Sequence, residues 1–325
     1  MSAVPMVQSR EDWLKERLTG IGGSDAAAIV GLSPFTSPFK LFQVKRGMEI
    51  DEPETEAMRL GRRLEAGIAE EYAERKGYVL AEAPPFIRSK SHPFMFANLD
   101  RLIVESPRGP GGYEGKNLSG FTQLDDGVPD YIWIQCQHYM HVCELAWFGL
   151  AMLIGGTRLV DFEIERDDEA IDMLIDSQVE FMRRVESNDP PPMDGSERTS
   201  QLLRRMYPEG NGRTIILDDP TAPGRARQID ALKEQEKEIK KGYKAIQQEF
   251  IKTLGKNEVA VIPGYGRISY KTTRFDDTVE IDQERLSIEE PAIYAKYATT
   301  KAKKPQRRFL TKPIGNQEEE VLDNE

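Results

Sequence analysis

The sequence predicts an α/β (α+β) fold, with a central mixed sheet flanked by helices and a C-terminal extension of one long charged helix plus a β-hairpin. Three observations predict it. Apolar residues recur at helical spacing over 54–76, 130–144 and 167–187. Residues 86–117 and 146–165 instead break into short strand-like runs separated by Gly and Pro. With 325 residues, 39% of them hydrophobic, the chain can bury a sizeable core, in one large domain plus extensions or in two modest domains.

Taken in order, residues 11–18 read as a short helix, followed by the glycine-rich stretch GIGGSDAAAIVG. There Ser24 is expected to cap a helix over DAAAIV, with Asp25 in its first turn, where the helix dipole favours an acid. SPFTSPF has turn chemistry and leads into a helix over 37–46. Residues 54–76 form a long amphipathic helix with Leu60, Leu64, Ile68 and Tyr72 at i, i+4 spacing, closed by Gly77. Strands follow at Phe86–Arg88, Phe94–Ala97 and Arg101–Glu105, then a turn at RGPGG and a strand at GYEGKN. A helix over 130–144 precedes a hairpin turning at Gly155–Gly156. Asp167 caps a last amphipathic helix over 167–187, stopped by DPPP. The core domain is therefore expected over 1–190 and a Pro/Gly/Asp-rich linker over 191–225. The extension occupies 226–312, and the acidic tail 313–325 is expected to be disordered. On the extension's helix, Ile229, Leu232, Ile239, Tyr243, Ile246 and Phe250 follow 3-4-7 spacing interrupted by Glu236. That row fits either packing on its own domain or a coiled-coil or inter-subunit contact.

Bulk properties exclude several classes. No apolar run approaches a membrane span, and the N-terminal residues lack the apolar core of a signal peptide, so a cytoplasmic protein is expected. Cys136 and Cys143 are too few for a disulfide framework, a zinc ribbon or an iron–sulfur site. The net charge of −11 argues against nonspecific coating of nucleic acid but allows a local channel. The spacing Gly20, Gly22, Gly23 does not complete a dinucleotide fingerprint, because Asp25 stands where the third glycine belongs.

The chemistry concentrates in Asp100, Glu114 and Lys116. Glu114 and Lys116 are two apart on one strand and share a face, and a hairpin return across SPRGPGG can bring Glu114 beside Asp100. Two close carboxylates call for a cation between them, and Mg²⁺ or Mn²⁺ suits such oxygen donors. The lysine could then orient a water or stabilise charge on a phosphate. The same three residues could also be a surface ion-pair set. Glu65, on the preceding helix, is a further candidate ligand, whereas Glu70, Glu71 and Glu74 read as solvated. Gln135 and Gln137 point to different helix faces, so one can serve the site and the other the structure. His92, His138 and His141 are a weaker metal set, since no third ligand is evident beside the i, i+3 pair His138 and His141.

Five blocks in order, ERLTGIGGSDAAAIVG, LGRRLEAGIAEEYAERKGY, FMFANLDRLI, YEGKN and IQCQHYMHV, resemble the YqaJ-like viral recombinase family. These are relatives of phage lambda exonuclease among the PD-(D/E)xK nucleases. The resemblance covers about residues 10–150 and implies a restriction-endonuclease-like core. It implies Asp100 and Glu114 as metal ligands, the Gly115 carbonyl as a backbone ligand, and Glu65 as the upstream acid. Lys116 would be the catalytic lysine and Gln135 the helix glutamine. Arg17 and Ser24 match positions that grip the 5′-phosphate of the degraded strand. One departure is Leu99, where the family often has proline before the aspartate. The implied function is a Mg²⁺- or Mn²⁺-dependent exonuclease, 5′-to-3′ on linear double-stranded DNA, yielding single strands for phage-type recombination in a bacterial cytoplasm. Implied partners are DNA ends, a phage single-strand annealing protein and further copies of the chain, by family resemblance a trimer. An endonuclease or nickase, or a non-catalytic DNA-binding or assembly protein, are the alternatives. Residues 299–313 carry six cations and no acid, which suits DNA backbone, a protein partner or a solvated strand edge.

Overall fold

The computed structural model describes residues 17–48, 55–120, 122, 124, 127–272 and 281–299. The chain divides into two compact units, Met1–Met206 and Tyr207–Glu325.

In the first unit, helix α1 (Gly23–Ile29) and helix α2 (Pro38–Lys45) precede the long helix α3 (Glu56–Lys76). Thr55 caps α3, accepting from the Met58 amide, and Gly77 closes it in the left-handed conformation at φ 67°. Ile68 and Tyr72 are buried, but Leu60 and Leu64, expected on the same stripe, are exposed at 42% and 39%. The N-terminal half of α3 thus projects beyond the core.

Five strands form a mixed sheet in the order β1 (Val79–Ala81), β4 (Arg101–Glu105), β5 (Gly111–Leu118), β6 (Trp147–Ile154), β7 (Arg158–Glu165). Strands β2 (Ile87–Arg88) and β3 (Phe96–Ala97), shorter than expected, pair separately. The β4–β5 pair is antiparallel, with Arg101 opposite Tyr113. The β5–β6 pair is parallel, and helix α4 (Asp130–Cys143) supplies its crossover. β6 is almost wholly buried, consistent with its near-continuous apolar run WFGLAMLI at the middle of a covered sheet. The hairpin to β7 turns at Gly155 and Gly156, both at positive φ, as the sequence implies. On one face Ile68, Ala69 and Tyr72 of α3 pack on Ile103, Tyr113, Trp147 and Ala151. On the other, Ile132, Cys136, Tyr139 and Met140 of α4 pack on Phe148, Leu150 and Met152. Helix α5 (Asp168–Ser187) is capped by Asp167, whose carboxylate accepts from the Ala170 amide. The mixed α/β architecture is as the sequence implies.

Several local expectations differ. The cap of α1 is Gly22 rather than Ser24: Asp25 reaches back to accept from the Gly22 amide, which places Ser24 inside the helix and exposed. The stretch 191–225 contains helix α6 (Glu197–Met206), which anchors itself by a Thr199-to-Ser37 hydroxyl bond of 2.8 Å and the buried Leu202. Its Pro/Gly-rich flanks hide this short helix in composition.

In the second unit, helix α7 (Ala222–Leu254) starts four residues earlier than expected, with Pro223 in its first turn. Leu232, Ile239, Tyr243, Ile246 and Phe250 are exposed there. A hairpin of β8 (Val259–Ile262) and β9 (Gly266–Ser269) follows, then the short helices α8 (Gln283–Glu289) and α9 (Pro291–Tyr297). The basic segment beyond residue 299, the acidic tail and residues 11–16 of the first expected helix lie outside the described residues. Among the described residues, no helix is long and apolar enough to cross a membrane.

Candidate active site

The antiparallel return of β4 and β5 builds the centre of the site. Arg101 faces Tyr113, so extending the register by one step places Asp100 level with Glu114. The Asp100 carboxylate accepts from the Gly115 amide at 2.8 Å. Strand alternation sends Tyr113 towards α3 and Glu114 and Lys116 towards α4. Lys116 Nζ lies 2.5 Å from Glu114 Oε1, and the same oxygen accepts from Gln135 Nε2 at 2.7 Å. The second oxygen, Glu114 Oε2, is buried with no hydrogen-bond partner.

Burial pushes the Glu114 pKa up to about 7; Lys116 pulls it down and the Asp100 carboxylate pushes it further up. Asp100 is also raised, by burial first, against the Gly115 amide and the charges of Lys116 and Arg101. Glu65 is raised by burial and by Asp100, so Asp100 acts on both other acids. Burial lowers Lys116, but the charge and hydrogen bond of Glu114 outweigh it and hold the ammonium protonated.

Glu65, Gly115, Lys116 and Gln135, together with Ser24, line one cleft of about 430 Å³. Glu114 stands behind Lys116 and Gln135, and Asp100 behind Gly115. Glu70 and Glu71 are exposed, and Glu71 pairs with Arg75. Arg17 does not line the cleft. Its guanidinium lies 3.6 Å from Asp25, and its carbonyl accepts from Lys45. Gln137 is structural: it donates to the Glu165 carbonyl and accepts from the Asp167 amide, fastening α4 to the end of β7. His138 is a buried core residue 2.9 Å from the Phe96 carbonyl, with its pKa lowered by burial to about 4.

The donors suit a hard cation. An orphaned carboxylate oxygen, a second carboxylate level with it and the backbone of Gly115, whose amide already meets Asp100, offer oxygen donors. Among the described residues, no three His, Cys, Asp or Glu side chains gather closely enough to enclose an ion alone. An ion held by Asp100, Glu114 and Gly115 would keep several waters, as Mg²⁺ prefers.

Two features were missed by sequence reading. Tyr139 receives the other Gln135 amide hydrogen at 3.1 Å and so fixes the side chain that braces Glu114. Its i, i+4 spacing from Gln135 on α4 was the available signal. Lys45, almost fully buried, binds the Arg17 carbonyl, the Gly20 carbonyl and Asp25 at 2.5, 2.6 and 2.8 Å. A lysine in the last turn of an amphipathic helix gives no such signal.

A model of the YqaJ-like viral recombinase domain matches residues 12–146. A curated relative, the uncharacterised protein YqaJ of Bacillus subtilis (strain 168), is 33% identical over 315 residues, spanning 94% of this chain and 95% of the relative. Among solved structures, the alkaline exonuclease LHK-Exo from Laribacter hongkongensis gives a TM-score of 0.44 at 18% identity, covering 61% of this chain and 100% of that one. A phage-related exonuclease from Haemophilus somnus 129PT gives 0.38 at 15% identity, covering 58% and 96%.

Proposed function

Because the chain belongs to the YqaJ-like viral recombinase family, we propose that it is a Mg²⁺- or Mn²⁺-dependent deoxyribonuclease that degrades linear duplex DNA from its ends, 5′-to-3′. The remaining single strand would serve phage-type recombination. One observation carries the reading: Asp100 and Glu114 stand behind a cleft that Lys116 lines, and one buried Glu114 oxygen has no partner in the protein.

Asp100, Glu114 and the Gly115 carbonyl would hold the ion, with Glu65 reaching it through water. When bound, the ion polarises the scissile phosphate and lowers the pKa of the attacking water. Lys116 opposes the effect of burial on Glu114 by its charge and presents an ammonium to the cleft, where charge develops on the phosphate. Gln135 spends its amide hydrogens on Glu114 and Tyr139, which leaves its carbonyl oxygen to orient a water. Attack forms the new P–O bond, the bond to the 3′ oxygen breaks, and that oxygen takes a proton, releasing 5′-phosphorylated mononucleotides. Ser24 at the cleft and Arg17 nearby would receive the 5′-phosphate. The working partners would be DNA ends, a single-strand annealing protein and further copies of the chain, as a trimer.

The test is a time course on end-labelled linear duplex and on closed circular DNA, with and without Mg²⁺. Mononucleotides from linear DNA alone are expected, abolished in Asp100→Ala, Glu114→Ala and Lys116→Ala proteins that remain folded. Arg17→Ala is expected to slow only 5′-phosphorylated ends. Nicked or linearised circles would establish an endonuclease instead, and full activity in a folded Glu114→Ala protein would overturn the site.

A further inference from the structure

At the C-terminal end of α4, four side-chain atoms close a ring. His92 Nδ1 and His141 Nε2 lie 3.4 Å apart. Ser91 Oγ lies 3.0 Å from His92 Nδ1, Ser89 Oγ 3.2 Å from Ser91 Oγ, and His141 Nε2 3.4 Å from Ser89 Oγ. The ring is built rather than incidental. Ser89 is buried, its hydroxyl accepts from the His92 amide, its amide donates to the Met95 carbonyl, and the Met95 amide returns to the His92 carbonyl. This turn between β2 and β3 therefore holds His92 against His141, which sits in the last turn of α4.

Two imidazole nitrogens facing each other at this distance make a poor hydrogen bond and cannot both be protonated without repulsion. They make a good ligand pair: a tetrahedral ion with bonds of about 2.0–2.1 Å has ligand edges of roughly 3.3–3.4 Å. The recess beside His141, about 380 Å³, is lined by Ser89, Lys90, Ser91, His141, Glu144 and Arg166. Glu144 is held by Lys90 at 2.5 Å, so water would complete the coordination. The other nearby cation, Arg166, is engaged by Asp168 and the Met140 carbonyl.

We propose that His92 and His141, closed by Ser89 and Ser91, form a second metal site that takes a borderline transition ion of the Zn²⁺ class. Nitrogen donors set it apart in kind from the oxygen-only centre at Asp100 and Glu114, because imidazole suits Zn²⁺, Ni²⁺ or Cu²⁺ and not Mg²⁺. The site would tie the turn before β3, which leads to Asp100, to the end of the helix that carries Gln135. It does not depend on the nuclease reading.

The test uses untagged, chelator-treated full-length protein titrated with Co²⁺, reading the visible d–d bands that low-coordinate nitrogen ligation produces, then displacing the ion with Zn²⁺. Thermal unfolding is recorded alongside. Expected in a Glu114→Gln background, which disables the oxygen-only centre, are one Co²⁺ per chain, displacement by Zn²⁺, and a higher Tm with Zn²⁺; the wild type should take up more. The bands and the shift should be lost in His92→Gln/His141→Gln, a pair that keeps polar atoms in the ring so that folding, checked by circular dichroism, is preserved. Uptake that persists when the double variant is built on the Glu114→Gln background, or that is absent from that background itself, overturns the proposal.

Discussion

Glu114 carries two opposed demands: its burial favours the proton, while a cation site needs the carboxylate. Its pKa of about 7 in the fold stands above the ordinary value of 4.5. The folded chain therefore keeps a proton over a window in which the unfolded chain has released it. The sign follows: stability is greatest below the ordinary value and falls as pH rises through that window, because the unfolded state binds fewer protons there. The size is on the order of 3 kcal/mol, at about 1.4 kcal/mol per pH unit. Ion-free protein should thus lose stability between about pH 5 and pH 7 in denaturant melts, and Glu114→Gln should remove that fall. Equal pH slopes for both proteins would show that Glu114 does not carry the strain. A divalent ion is expected to restore most stability at the alkaline end, where the bare carboxylate is least comfortable. At this scale the sequence was most informative. The two-residue spacing of Glu114 and Lys116 and the turn that returns to Asp100 are local facts, and strand geometry turns them into proximity. The partner of Gln135 was not legible, because the bond from α4 to β5 spans 21 residues and depends on how the crossover packs.

At the scale of elements, the glycine stretch is held mainly by packing. Ile21 exchanges backbone bonds with Phe94 and Phe96, so the loop makes one parallel bridge beside β3. A Cβ on Gly20 would sit 2.5 Å from the Phe94 carbonyl, and one on Gly23 would sit 2.6 Å from the Tyr139 ring and 2.8 Å from Gln135 Cγ. The residues that Gly23 admits are therefore the pair that braces Glu114. Gly20→Ala meets backbone and should cost about 1–3 kcal/mol of stability. Gly23→Ala meets side chains and should depress cleavage more than it depresses Tm. If both substitutions lower activity only in proportion to stability, the loop has no link to the site beyond folding. Lys45 fastens the same loop from below, and Asp25 stays ionised because Lys45 and Arg17 outweigh its burial. Lys45→Met leaves that carboxylate buried beside a single, partly exposed arginine, and denaturant melts should show a loss of about 3–5 kcal/mol. Helix periods and turn residues made α3, α4, α5 and the β6–β7 hairpin legible. Contacts between distant segments made Gly22 the cap of α1 and gave α6 its anchor, and no local pattern encodes those.

At the scale of the whole chain, a net charge of −11 repels a polyanion, so phosphate contacts must be concentrated where cations cluster. Residues 301–325 hold six cations, Lys301, Lys303, Lys304, Arg307, Arg308 and Lys312, followed by five acids, Glu318, Glu319, Glu320, Asp323 and Glu325. Removing them changes the net charge by six minus five, one unit, to −12. Truncation after residue 300 therefore leaves the long-range field almost unchanged and deletes only local contacts. In a Glu114→Gln background, which binds without cutting, the slope of log affinity against log salt counts the phosphates neutralised, at about 0.9 per contact on duplex DNA. The truncated chain should show a flatter slope, by roughly one to several contacts, and weaker binding at low salt that converges with the full chain at high salt. An unchanged slope would mean that the basic segment touches no phosphate, and its charge would then be free for a protein partner. The convergence at high salt is the more telling half of the measurement. A truncation that merely damaged the fold would lower affinity at every salt concentration by a similar factor, whereas loss of ion-releasing contacts fades as screening rises.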